Sequence, residues 1–141
     1  MPEMSLILQE GDIDPLALGM PQDVVKSILG NAEGVYESDD TTIEKRGPFQ
    51  LRFEDGKLQA VTWLLLSAED SPFKIAGNDK GSLTKHTSLY NFLDYCEDQG
   101  ISWAIENSQS FDRQLAIRTC GKVVIIFDLD AQELQRIVIK Q

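Results

Sequence analysis

The 141-residue sequence has no long apolar run, one histidine and two cysteines. Residues 1–5 carry no basic side chain, and the apolar stretch at 6–8 is much shorter than a secretory signal or a membrane span requires. We therefore expect neither, and the sequence favours a cytoplasmic protein. Cys96 and Cys120 share no metal-type spacing, so we expect two buried free thiols.

The composition is that of one folded domain with an excess of acid. The sequence is 42% apolar and 26% charged, and 13 Lys and Arg against 23 Asp and Glu give a net charge of −10. Such a field repels nucleic-acid phosphates and anionic lipid, so neither nucleic acid nor membrane is an expected partner. A basic protein partner fits the charge, although solubility alone would also account for it.

Helix signals occur in both halves of the sequence. Apolar residues at 20, 24, 25, 28 and 29 share one helical face, with Pro21 at the start and Gly30 at the end. In the second half, Thr87 or Ser88 can cap a helix whose apolar face includes Phe92 and which Gly100 can end.

Each predicted helix is followed by predicted strands. Residues 49–53 and 57–63 flank an Asp-Gly turn, which is a strong hairpin signal, and 42–46 predict a further strand. In the second half the strand candidates are 115–119, 123–128 and 134–140.

The order of elements predicts an α+β fold of tandem helix-plus-antiparallel-meander repeats, with the helices packed on one face of the sheet or sheets. Residues 1–141 would form a single domain with pseudo-repeats at about 13–66 and 83–141, joined by a linker at 67–82. Coincidence is the alternative, because a helix followed by a hairpin is common.

Residues 18–66 resemble a bacterial repeat group. The shared features are the Gly19-Met20 pair, the valines in the following helix, its Leu29-Gly30 end and the hairpin motif Phe53-x-x-Gly-Lys-Leu. In these features the segment is similar to that of the β-lactamase-inhibitory-protein and outer-membrane assembly lipoprotein group, and of small bacterial immunity-type proteins. The resemblance implies two such repeats and a role in protein binding. The lipoprotein signal and lipidated cysteine are lacking, and Pro21 replaces the usual small hydroxyl residue.

No residue set predicts catalysis. Residues 123–130 resemble the first motif of haloacid-dehalogenase-type phosphatases, but Ala131 and Gln132 replace the expected Gly-Thr and too little chain follows. An acidic turn between two strands is the alternative that we favour. His86 lies in a polar run without a predicted catalytic partner. We expect no enzyme, no cofactor and no metal site.

Acidic loops with aromatic neighbours are the predicted binding surface. They combine charge steering with aromatic anchors, although simple solvated loops would have the same composition. The predicted partner-binding residues are Tyr36, Glu37, Asp39, Asp40, Glu69, Asp70 and Phe73.

The leading hypothesis is a protein-binding inhibitor or immunity-type protein that occludes a basic partner such as a toxin or nuclease. One alternative is a generic interaction module that binds through its sheet. Another is a small-molecule-binding protein with a pocket between helices and sheet, lined by Trp63, Tyr90, Phe92 or Trp103.

Overall fold

The computed structural model describes residues 4–64 and 86–140, apart from the side chains of residues 4 and 5. Three helices, one 3-10 turn and eight strands follow one another along this part of the chain. They are α1 (Met4–Glu10), α2 (Gln22–Leu29), β1 (Gly34–Ser38), β2 (Thr41–Arg46), β3 (Phe49–Glu54), β4 (Lys57–Leu64), α3 (Leu89–Gln99), β5 (Trp103–Ile105), the 3-10 turn Asn107–Gln109, β6 (Gln114–Thr119), β7 (Val123–Asp128) and β8 (Glu133–Lys140).

All eight strands form one antiparallel sheet in the order β1-β2-β3-β4-β8-β7-β6-β5. Strands β1 to β4 are sequential neighbours, as are β5 to β8. The two runs meet where β4 pairs with β8, with Val61 opposite Ile139 and Trp63 opposite Ile137. The outermost strands of the sheet are therefore β1 and β5.

The predicted fold class, α+β with tandem helix-plus-meander repeats and helices packed on the sheet, is wrong because the sheet dominates. The three helices have 7, 8 and 11 residues, and α2 buries only Val25. Strands β1 and β5 were not predicted, since all their residues are exposed and give no alternation of apolar and polar positions. Residues 4–10, for which no helix was predicted, form α1.

Several individual elements are confirmed. The predicted hairpin at the Asp-Gly turn is formed by β3 and β4, with positive φ angles of 52° at Asp55 and 75° at Gly56. Helix α3 begins after Ser88, whose side chain accepts a hydrogen bond from the Asn91 amide at 3.1 Å, and it ends at the left-handed Gly100. The division of a single domain into pseudo-repeats at about 13–66 and 83–141, joined by a linker at 67–82, stays a prediction.

The two faces of the sheet differ in what covers them. The larger apolar cluster joins both runs of strands to the helices, through residues such as Leu8, Val25 and Phe92 packed with Phe53 and Phe127. Alternate residues of the strands point to the opposite face, where a smaller cluster consists of Ala116, Val124 and Ile126 with Val138 packed against them. We call this second surface, which no described helix joins to its apolar cluster, the open face.

A buried ion pair lies on the helix-covered side of β2. Arg46 Nε donates to Glu44 Oε1 at 2.9 Å, and both side chains are 5% exposed. Gln22 at the start of α2 donates to the other carboxylate oxygen at 3.0 Å. Two residues of one strand thus place opposite charges beneath a helix end, where each depends on the other for compensation.

Helix α1 is held against the turn between β6 and β7 by a close backbone approach. The Gly121 amide donates to the Leu8 carbonyl at 3.0 Å, and the Thr119 hydroxyl donates to the same oxygen at 2.5 Å. A Cβ atom at Gly121 would lie 2.5 Å from that oxygen, which explains why glycine is required there.

Candidate functional site

Strand β1, the outer strand of the β1–β2 hairpin, is exposed along its whole length. All five residues of β1 are exposed, including Val35 at 55% and Tyr36 at 65%. Among the described strands, β1 has a neighbour only on its β2 side. An edge strand of this kind presents unpaired backbone groups that can pair with another chain. The hairpin therefore combines an aromatic side chain with a sheet edge on which no other described strand pairs.

Exposed carboxylates continue around the end of this hairpin. Asp39 and Asp40 form the turn between β1 and β2, and Asp39 adopts a left-handed conformation with φ of 50°. The Asp55 amide donates to the Asp40 carbonyl at 3.0 Å, which joins this turn to the neighbouring β3–β4 turn. The two turns thereby hold acidic residues from distant parts of the sequence side by side.

We call this cluster the acidic end; it consists of the exposed residues Glu37, Asp39, Asp40, Glu54 and Asp55. Sequence reasoning missed Glu54 and Asp55 as site residues and treated them only as a hairpin turn. Their position beside Asp40 depends on the pairing of β2 with β3, in which Thr41 lies opposite Glu54. An Asp-Gly signal predicts a turn, but it carries no information about which other turn lies next to it.

The four described residues of the predicted binding surface are brought together, but not on one face. Side chains alternate along a strand, so Tyr36 lies on the open face opposite Ile43, while Glu37 points to the other side opposite Thr42. A flat partner could not contact both side chains at once, whereas a segment lying along the edge could. Glu69, Asp70 and Phe73 lie outside the described residues.

The Asp-x-Asp motif forms a structural turn. Asp128 Oδ1 accepts hydrogen bonds from the amides of Asp130 at 2.9 Å and Ala131 at 3.2 Å. Asp130 pairs with Arg113, and the Leu129 amide donates to the Arg113 carbonyl at 2.8 Å. Both carboxylates are therefore engaged in shaping the β7–β8 connection, as the alternative of an acidic turn predicts.

The two thiols differ in their environment. Cys96 lies on the buried face of α3, and desolvation raises the pKa of its thiol to about 11, with a further contribution from Cys120. Cys120 is exposed in the β6–β7 turn, so the prediction of two buried thiols is wrong for this residue. The strand was predicted to end at Thr119, as observed, but the neighbouring glycine did not indicate that Cys120 is exposed in the turn that follows.

The aromatic residues of the predicted small-molecule pocket are dispersed between the core and the surface. Phe92 is fully buried with its ring 5.5 Å from that of Phe127, and Trp63 stacks on Phe49 at 5.8 Å. Tyr90 is 74% exposed. Phe92 therefore packs in the core and Trp63 packs against it, while Tyr90 faces solvent. The structure does not support a pocket between helices and sheet that these side chains line together.

Comparison of the chain with family models, curated proteins and solved structures gives no match. Within residues 4–64 and 86–140, no group of three or more His, Cys, Asp or Glu side chains is arranged to hold a metal ion. None of the helices in the described part of the chain combines the length and apolar character needed to cross a membrane.

Proposed function

We propose that this chain is a cytoplasmic, protein-binding inhibitor or immunity-type protein that occludes a basic partner, and that it is not an enzyme. The observation that carries the proposal is the β1–β2 hairpin, where the outermost described strand bears an exposed tyrosine and leads into the acidic end. The net charge of −10 and the resemblance of residues 18–66 to protein-binding repeats support the same function. Nucleic acid and membrane are poor partners for this charge.

Binding begins with electrostatic steering. Five carboxylates at the acidic end attract Lys and Arg side chains of the partner and accelerate the encounter, an effect that salt weakens. Within this cluster only Glu54 is near an arginine, with Arg52 Nε at 3.9 Å, and both side chains remain about half exposed. The charge is therefore available to an incoming protein.

The docked complex uses the edge of the sheet. An extended segment of the partner pairs with the backbone of β1, and Tyr36 provides the aromatic anchor on one side of the added segment. Glu37 lies on the other side and meets a basic side chain of the same segment. Occlusion follows because the hairpin and its acidic turn then cover the partner's basic cleft.

The proposal is tested by capture from host lysate at low salt, followed by elution with rising salt and mass spectrometry. The test variant is Glu37→Gln with Asp39→Asn and Asp40→Asn, in which asparagine tolerates the left-handed conformation of Asp39. The matched control removes three exposed carboxylates of α3 instead, by Asp94→Asn, Glu97→Gln and Asp98→Asn.

We expect wild type and control to retain one basic protein that elutes steeply with rising salt, and whose activity is inhibited when it is bound. The hairpin variant should not retain this protein. No basic protein retained by wild type, or equal retention by all three proteins, contradicts the proposal.

A generic interaction module is the second candidate, favoured by the exposed apolar side chain of Val35 on the same edge. In that case binding depends on the strand and not on charge. Tyr36→Ala and Val35→Ala would then weaken capture, whereas the neutralised hairpin variant would bind as wild type does.

A further inference from the structure

The open face of the sheet contains a cavity of about 160 Å³. Its floor is apolar, formed by Val124, Ile126 and Val138, and the 3-10 turn contributes Gln109 to its wall. Arg136 and Lys140 also line it. None of the β1–β2 hairpin residues lines this cavity, so it is separate from the surface proposed above.

The strand register explains how two cations come to flank an apolar floor. Residues 136, 138 and 140 of β8 alternate with the buried Ile137 and Ile139 and therefore share the open face. Val138 lies opposite Val124 on β7 and opposite Thr62 on β4. Each cation is two residues from Val138, or roughly 6–7 Å along the strand. Charge and apolar surface are thus within reach of one small molecule.

Arg136 differs from the other four arginines in that it pairs with no described carboxylate. The remaining four each pair with a carboxylate, namely Arg46 with Glu44, Arg52 with Glu54, Arg113 with Asp130 and Arg118 with Glu106. Arg136 has no ion pair in the described part of the chain, and its Nε atom is buried there without a hydrogen-bond partner. A buried, unpaired N–H of a charged group costs about 1–3 kcal/mol or more, so an acceptor in this cavity would be stabilised.

The chemistry of the lining selects the kind of acceptor. Among the described residues, no Asp or Glu lines the cavity and two cations do, which favours an anion as the acceptor. The apolar floor favours a ligand that also carries a hydrocarbon part, and a dianion would be disfavoured by the net charge of −10. A cavity of about 150 Å³ in another protein holds benzene, which sets the size of ligand that fits.

We propose that this cavity binds a small organic monocarboxylate. Its carboxylate accepts hydrogen bonds from the Arg136 guanidinium and is attracted by Lys140, while its hydrocarbon part lies on Val124, Ile126 and Val138. This site lies on the opposite side of the sheet from the pocket that the sequence suggested. It does not depend on the partner proposed for the hairpin.

The test uses benzoate as the probe, benzamide as its neutral isostere and inorganic phosphate as an anion without an apolar part. Binding is followed by calorimetry and by the NMR signal of the Arg136 Nε–H. The test variant is Arg136→Gln, and Arg113→Gln is the matched control, since Arg113 is an exposed arginine of the chain that does not line this cavity.

We expect saturable benzoate binding that shifts the Arg136 Nε–H signal and that weakens about tenfold or more in Arg136→Gln but not in Arg113→Gln. Benzamide and phosphate should each bind at least about tenfold more weakly than benzoate.

Equal affinity for benzoate and benzamide, or unchanged affinity in Arg136→Gln, overturns the role of the cation. Phosphate binding as tight as benzoate overturns the role of the apolar floor, and no saturable binding of benzoate overturns the site. If Arg136→Gln does not fold, the three probes on the wild-type protein still decide the question.

Discussion

Removal of Glu44 should destabilise the protein far more than removal of an exposed carboxylate. Arg46 would stay beneath α2 with its charge uncompensated, since Glu44 supplies the carboxylate at 2.9 Å and both side chains are 5% exposed. Breaking a buried ion pair by removing one partner costs about 3–5 kcal/mol. Because a domain of this size is stable by about 5–15 kcal/mol, Glu44→Ala should remove a large part of that free energy of unfolding.

The neighbouring strand provides a matched control for this prediction. Arg52 and Glu54 have the same spacing along β3, but their atoms are 3.9 Å apart and the side chains are 48% and 47% exposed. Glu54→Ala should therefore cost less than about 1 kcal/mol. The double variant Glu44→Leu with Arg46→Met should cost much less than Glu44→Ala, because both buried charges are removed together.

Equilibrium unfolding in urea, with the slopes compared between variants, measures these free energies. A cost for Glu44→Ala no greater than that for Glu54→Ala would refute the reasoning, since it would mean that Arg46 reaches water easily. A double variant as unstable as Glu44→Ala would also refute it, because the loss would then come from packing and not from the uncompensated charge.

Two further predictions concern glycine and cysteine. Gly121→Ala should lower the free energy of unfolding by about 1–3 kcal/mol, because the new Cβ would lie 2.5 Å from the Leu8 carbonyl oxygen. Gly34→Ala is the control, since the nearest atom to its new Cβ is at 4.0 Å, and it should change the urea midpoint little. Native protein at pH 8 should react at Cys120 alone, and Cys96 should react only after unfolding, as mass spectrometry after alkylation would show. Because burial raises the pKa of Cys96 from 9.0 to about 11, its contribution to stability should be full below pH 9 and decline between pH 9 and 11. Cys96→Ala should lack that decline, and a decline unchanged in this variant would contradict the assignment.

The sequence contained enough information for the local elements that have strong signals of their own. The Asp55-Gly56 turn predicts its hairpin because both residues must adopt positive φ, and Ser88 and Gly100 mark the ends of α3 through capping. Strand β1 has no such signal, since all its residues are exposed and its pairing with β2 determines its position.

The candidate sites were less predictable, because they depend on contacts between distant residues. The Asp55 amide reaches the Asp40 carbonyl only when β2 and β3 pair in the observed register. The cavity at Arg136 requires the pairing of β4, β8 and β7, which no local pattern determines. From the sequence alone, an arginine within a strand is expected to be exposed. Its burial can be inferred only when the neighbouring strands are known.

The rate at which the captured basic protein associates with this chain is the most direct test of the proposed function. The rate should be measured by stopped flow at about 10 mM and 150 mM salt, where charges are screened over roughly 30 Å and 8 Å. We predict that the variant with Glu37→Gln, Asp39→Asn and Asp40→Asn associates about tenfold more slowly than wild type at low salt, and that the difference shrinks at high salt. The α3 control variant should associate nearly as fast as wild type. Equal association rates of wild type and the hairpin variant at low salt would contradict the account.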